Sequence, residues 1–126
     1  MRILVTGGAG FIGSHYVRTL LAGGYPAFGD ARVTVFDKLT YAGNLANLEP
    51  VTGSPRLTFV RGDICDSGLL ADVVPGHDVV INFAAETHVD RSISGASSFA
   101  ATNVIGAQAL LQACLDAKVP RVVQVS

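Results

Sequence analysis

Gly7-Gly8-Ala9-Gly10-Phe11-Ile12-Gly13 stands between a short apolar run, Arg2-Ile3-Leu4-Val5-Thr6, and a stretch in which Phe11, Ile12, Tyr16, Val17, Leu20 and Leu21 recur at helical spacing. The segment satisfies two registers at once, G-x-x-G-x-x-G through Gly7, Gly10 and Gly13 and G-x-G-x-x-G through Gly8, Gly10 and Gly13. A strand, a glycine turn and a helix in that order make a phosphate-binding unit. The turn is tight, the backbone must approach a pyrophosphate without a Cβ in between, and the helix must pack closely on its strand. The anion then rests on the unpaired N–H groups of the helix N-terminus, favoured by the macrodipole. Without that context a glycine pattern is only a turn.

The remainder of the chain repeats strand and helix. The first helix runs to Gly23-Gly24, a C-cap signal, and Tyr25 to Asp30 reads as a loop. Further strands are expected at Val33–Phe36, Leu57–Val60, Val79–Phe83 and Arg121–Val125. A turn-rich Pro50 to Pro55 segment precedes the third. A short helix is expected over Gly68 to Val74, with Asp66 or Ser67 at its cap, and a long one from about Phe99 to Ala117. Strands apolar on both faces and separated by helices imply a parallel sheet covered on both sides, a doubly wound α/β fold of the Rossmann type. Such sheets bind ligands beyond the carboxyl ends of their strands, which directs attention to the residues after Thr6, Phe36, Val60, Phe83 and Val125.

Composition narrows the function classes. With 126 residues, 49% of them hydrophobic and 15% charged, the chain can fill the core of one domain and is not disordered. Nine basic against ten acidic residues give a net charge of −1, which offers no basic field for a nucleic acid. The uninterrupted apolar runs fall far short of the roughly 18 residues of a membrane span, so a soluble, cytoplasmic protein is expected. Cys65 and Cys114 have no disulfide or metal-ligand spacing and read as two reduced thiols, so no metal is expected. His15 and His77 read as surface residues.

Asp37 ends the second strand 24 positions after Gly13, where an acidic side chain receives the ribose hydroxyls of an adenine dinucleotide. Its carboxylate would repel a 2′-phosphate, which favours NAD over NADP; Lys38 beside it pulls the other way. Asp63, past the third strand, is placed to accept a hydrogen bond from an adenine amino group with Ile64 packing on the ring, or else to cap the helix that follows.

Gly7 to Gly13, Asp63-Ile64-Cys65-Asp66 and Asn82-Phe83-Ala84-Ala85 resemble the extended short-chain dehydrogenase/reductase superfamily of nucleotide-sugar enzymes. Within it, Asp37-Lys38-Leu39-Thr40-Tyr41-Ala42-Gly43-Asn44, the block from Ala84 to Ile93 and Thr102-Asn103-Val104 resemble the dTDP-glucose 4,6-dehydratase family, over the whole 126 residues. Thr87 departs from the family's usual serine but keeps the hydroxyl. The resemblance implies an NAD-dependent lyase. C4 of the glucosyl ring is oxidised, water leaves across C5–C6, the hydride returns to C6, and dTDP-4-keto-6-deoxyglucose is formed for deoxysugar biosynthesis. It implies NAD contacts by Phe11, Ile12, Asp37, Lys38, Leu39, Thr40, Asp63, Ile64, Phe83, Ala84, Ala85 and Thr102, besides the glycines. Thr87 would touch the sugar nucleotide with His88 close by, and Asp90-Arg91 reads as a structural ion pair. The complete enzyme would be a homodimer through helices that include the one at Phe99 to Ala117.

Superfamily chemistry also needs a Tyr-x-x-x-Lys pair, and Tyr16, Tyr25 and Tyr41 are followed four positions on by Leu20, Gly29 and Leu45. The resemblance expects a Thr-Asp-Glu run directly after Ser126. This chain is therefore expected to be the N-terminal part of the NAD-binding domain, with the catalytic groups and substrate domain beyond it, inactive and prone to self-association alone. The rival readings are a sibling 4-epimerase or decarboxylase and a non-catalytic NAD-binding module.

Overall fold

The computed structural model describes residues 1–39, 44–83 and 101–125, the last group with side chains from residue 104 onward. Among the described residues five strands, β1 (Arg2–Thr6), β2 (Arg32–Asp37), β3 (Leu57–Arg61), β4 (Val79–Asn82) and β5 (Arg121–Gln124), are joined with three α-helices, α1 (Phe11–Leu21), α2 (Ser67–Val73) and α3 (Ala107–Asp116). All strand pairs are parallel, in the order β3-β2-β1-β4-β5. The chain winds outward from β1 through β2 to β3 and then returns to the other side of β1. The direction of winding reverses between β1 and β4, and that switch point opens a crevice at their carboxyl ends. The expected doubly wound α/β sheet is present.

Alternation along the strands divides the core in two. Ile3, Val5, Val33, Val35 and Ile81 meet Val17, Leu20 and Leu21 of α1 on one face, whereas Leu4, Phe36 and Val80 meet Leu70, Leu110 and Cys114 from α2 and α3 on the other. Because each face buries alternate residues of the same strands, β1 and β2 are apolar nearly throughout. α1 ends in a paired motif: Gly23, at φ +85°, donates to the Leu20 carbonyl at 3.2 Å and Gly24 to that of Thr19 at 2.9 Å. The expected cap at Gly23-Gly24 is thus formed, and Asp66 caps α2, accepting from the Leu69 amide at 3.1 Å.

Several expectations need correction. Leu45–Val51 forms a 3-10 helix capped by Asn44, and it buries Leu48 against α1. The loop after α1 holds a 3-10 turn at Pro26–Phe28. Phe11 and Ile12 share the helical spacing of Val17, Leu20 and Leu21 but stand 86% and 64% exposed. His77 is not on the surface but buried, its ring nitrogens 3.1 Å from the Val74 carbonyl oxygen and 3.0 Å from the Thr34 hydroxyl. The long helix after Asn82 is seen from a π-helical turn at Ala101–Gly106 into α3, and Phe99 lies outside the described residues. No helix among the described residues is long and apolar enough to cross a membrane.

Candidate functional site

The glycine turn sits at the switch point. Gly7, at φ +74°, donates its amide to the Phe36 carbonyl at 2.8 Å and so ties the end of β1 to the end of β2. A Cβ on Gly13 would lie 2.3 Å from the Gly7 carbonyl oxygen, a distance no side chain tolerates, so this position must be glycine for α1 to rest on the turn. A Cβ on Gly8 would approach Val35 Cγ1 to 2.8 Å. Gly10 is the residue before α1, and the first turn of the helix has neither a side-chain cap nor an acidic residue. Its amides and dipole are therefore left without an acidic partner from the helix's own first turn, an arrangement that suits a phosphate. The exposed Phe11 and Ile12 flank that end.

Asp37 closes the turn from the β2 side. Its carboxylate is buried, 8% exposed, and accepts from the Ala9 amide at 3.0 Å through Oδ2 and from the Leu39 amide at 2.8 Å through Oδ1. Each oxygen keeps a lone-pair direction for a hydroxyl donor. Leu39 adopts φ +60°, a left-handed conformation stabilised here by that contact. The outer side of the turn is held by Asn44, the last residue of the Asp37–Asn44 block, and by Asn47, which the sequence reading did not single out: the Ala9 carbonyl accepts from the Asn44 amide at 3.1 Å and from Asn47 Nδ2 at 2.9 Å. Nothing in the local pattern distinguishes Asn47 from an ordinary loop asparagine.

At the next strand end Asp63 accepts from the Cys65 amide at 2.9 Å and pairs with Lys38 Nζ at 3.2 Å. Partial burial pushes its carboxyl upward, but the Cys65 amide and the Lys38 ammonium outweigh this and hold it below the ordinary range. The cap of α2 is Asp66, not Asp63, so the helix-capping alternative falls away. Ile64 corrects another expectation. Its side chain is 5% exposed and packs in the core with Phe36, Leu70 and Leu110, with Gly106 so close that a Cβ there would lie 2.6 Å from Ile64 Cδ1. Only its backbone is left to face a ligand, not its side chain.

A polar ladder that no local pattern reveals crosses the carboxyl ends of β1, β4 and β5. Thr6 Oγ1 donates to Asn82 Oδ1 at 2.6 Å, and Asn82 Nδ2 donates to Gln124 Oε1 at 2.8 Å, linking register partners on β1, β4 and β5. Just beyond it, Phe83 donates its amide to the Thr6 carbonyl at 2.8 Å and sets its ring tilted against Tyr16, with the centroids 5.8 Å apart. The Tyr16 phenol is pushed up, first by burial and then by Tyr25. Thr40, Ala84, Ala85, Thr87, His88 and the Asp90-Arg91 pair lie outside the described residues, as does the side chain of Thr102. Among the described residues no cluster of His, Cys, Asp and Glu is arranged to hold a metal ion, and Cys65 and Cys114 are thiols.

Assembled in this way, the structure brings Gly7, Gly10, Gly13, Asp37, Lys38, Leu39 and Asp63 to one edge of the sheet. The family model described as GDP-mannose 4,6 dehydratase matches residues 4–126. The dTDP-glucose 4,6-dehydratase of Streptomyces niveus is 56% identical over 126 residues, which are all of this chain and 38% of that protein. Among solved structures, a double mutant of the Streptomyces venezuelae dTDP-glucose 4,6-dehydratase DesIV with NAD bound is 64% identical, with a TM-score of 0.96 over 100% of this chain and 39% of that one. A UDP-glucose 4-epimerase from Thermotoga maritima has the same fold at 33% identity, with a TM-score of 0.82 over 98% of this chain and 37% of that one. The chain thus spans under half the length of the relatives it matches, and with its glycine turn, strand order and near-complete coverage by the family model it belongs to the GDP-mannose 4,6 dehydratase family.

Proposed function

We propose that this chain is the dinucleotide-binding part of an NAD-dependent dTDP-glucose 4,6-dehydratase. The observation that carries the reading is Asp37: a buried carboxylate at the end of β2 with a free lone-pair direction on each oxygen, bonded to the turn that precedes an uncapped helix. Those residues fit an adenine dinucleotide. The α1 amides hold the pyrophosphate, Asp37 takes the ribose hydroxyls, and Asp63 with the Ile64 backbone takes the adenine edge. Phe11 and Ile12 exclude water from the pyrophosphate, Lys38, Leu39 and Thr40 wall the ribose, and Phe83, Ala84, Ala85 and Thr102 border the nicotinamide half. Thr87 and His88 reach the sugar nucleotide. Bound NAD supplies reversible hydride acceptance, which makes the C5 proton of the sugar acidic and allows water to leave across C5–C6.

The described residues bind and orient; none of the three tyrosines has a lysine four positions on. The proton-transfer groups belong, in this proposal, to the part of the relatives' length that the chain does not span, together with the substrate domain. A homodimer through α3 is part of the same reading, supported by the exposed Leu111 and Leu115 on that helix, and a cytoplasmic location by the two thiols. Identity to the dehydratase is about twice that to the epimerase, which favours elimination over epimerisation. The test is isotopic. Protein of the relatives' full length carrying this segment is given dTDP-glucose deuterated at C4. Recovery of a 4-keto-6-deoxy product with the deuterium at C6 is expected; an epimer, or no turnover despite NAD binding, would refute the dehydratase reading.

A further inference from the structure

Lys38 is the residue that would spoil a preference for NAD, since it directly follows Asp37 and a cation at this strand end can accept a 2′-phosphate. The structure shows where its charge goes. Lys38 Nζ lies 3.2 Å from Asp63 Oδ2, across the carboxyl ends of β2 and β3. Asp63 is itself held, because its other oxygen accepts from the Cys65 amide at 2.9 Å within the turn closed by the Asp66 amide on the Asp63 carbonyl, also at 2.9 Å. The carboxylate is thus set in place by the backbone before the lysine arrives.

We infer that Asp63 is a specificity-determining residue that tethers Lys38 and so denies a 2′-phosphorylated dinucleotide the cation it needs. This rests on the dinucleotide reading above and goes beyond it, because it assigns the discrimination between NAD and NADP to a pair of residues and not to Asp37 alone. A 2′-phosphate would have to draw Lys38 away from Asp63. Doing so strands a carboxylate beside the incoming phosphate, so the phosphate loses a partner and gains a repulsion. A 2′-hydroxyl asks for no such exchange. The pair is partly exposed, which makes the tether modest and its effect a matter of a few-fold rather than orders of magnitude. Arg61, the register partner of Asp37 on β3, is a second cation at this edge, so Lys38 must be isolated by its own substitution.

The test is calorimetric titration with NAD and with NADP of the wild type, Asp63→Asn, Lys38→Ala and the double variant. The quantity read is the ratio of the two dissociation constants, which cancels any direct contact of Asp63 with the adenine. Asparagine keeps an acceptor for the Cys65 amide, so the turn is retained. Asp63→Asn is expected to shift the ratio toward NADP by about fivefold. Lys38→Ala alone should leave the ratio unchanged, and the double variant should return it to the wild-type value. An unchanged ratio in Asp63→Asn would overturn the inference. So would a gain that persists in the double variant, which would mean that Asp63 acts by its own charge or that Arg61 serves the phosphate. If the folded wild type binds neither dinucleotide, the dinucleotide reading fails and this inference with it.

Discussion

The Asp37 carboxylate accepts a hydrogen bond from the Ala9 amide at 3.0 Å, joining the end of β2 to the middle of the glycine turn. One side chain thereby shapes the glycine turn while keeping lone pairs that, in the proposed reading, would receive a dinucleotide's ribose hydroxyls.

Replacing Asp37 therefore carries two costs. Asp37→Ala removes the acceptor from the Ala9 and Leu39 amides and should destabilise the fold by about 1.5–3 kcal/mol, with NAD affinity lowered at least about tenfold. Asp37→Asn keeps one acceptor oxygen and should lose less stability. Urea denaturation and NAD titration of both variants measure the two effects separately.

Gly13→Ala places a methyl group against the Gly7 carbonyl oxygen, where neither backbone segment can yield freely. A loss of about 1–3 kcal/mol is expected, with NAD binding weakened because α1 must move away from the turn. Gly53→Ala, where a Cβ meets nothing within 4 Å, is the control and should be close to neutral in both measurements.

The buried His77 makes stability depend on pH. Burial, the largest influence, lowers its pKa from the ordinary 6.5, and Arg2 acts in the same direction, against the hydrogen bond to Val74 and the charge of Asp78. With the folded pKa below the unfolded one, the unfolded chain binds the proton first. The neutral ring's contribution is complete above pH 6.5 and is lost as the pH falls from there through the lower folded value. The stability difference between wild type and His77→Gln should therefore narrow between about pH 7.5 and pH 5.5. A difference that stays constant over that range would contradict it.

What was legible in the sequence followed periodicity and glycine. β1, α1 and the turn between them were readable because an apolar run, a fixed glycine spacing and a 3.6-residue repeat are local properties. Leu45–Val51 was not, since a 3-10 stretch with Pro50 inside has no such repeat, and Leu48 is buried only because α1 covers it. Spacing alone does not separate the exposed Phe11 and Ile12 from the buried Val17, Leu20 and Leu21 of the same helix. His77 follows the turn signal Pro75-Gly76, which suggests a surface loop, whereas in the fold its ring reaches the Thr34 hydroxyl, 43 residues away. Lys38 was an ambiguous cation until its partner Asp63, on another strand end, was seen.

α3 ends with Lys118 at φ +57°, in the position where Gly23 ends α1. Its amide donates to the Leu115 carbonyl at 3.2 Å and that of Val119 to Cys114 at 3.0 Å, the same paired motif without the glycine. Lys118→Gly should relieve the left-handed strain and stabilise the protein by about 0.5–1 kcal/mol, read as a higher urea midpoint with an unchanged slope.

The central claim is that the glycine turn and Asp37 form a dinucleotide site. Calorimetric titration of the folded protein with NAD tests it most directly. Saturable binding at one NAD per chain, weakened in Asp37→Ala, is the predicted result; a cooperatively folded protein that takes up no NAD would contradict it.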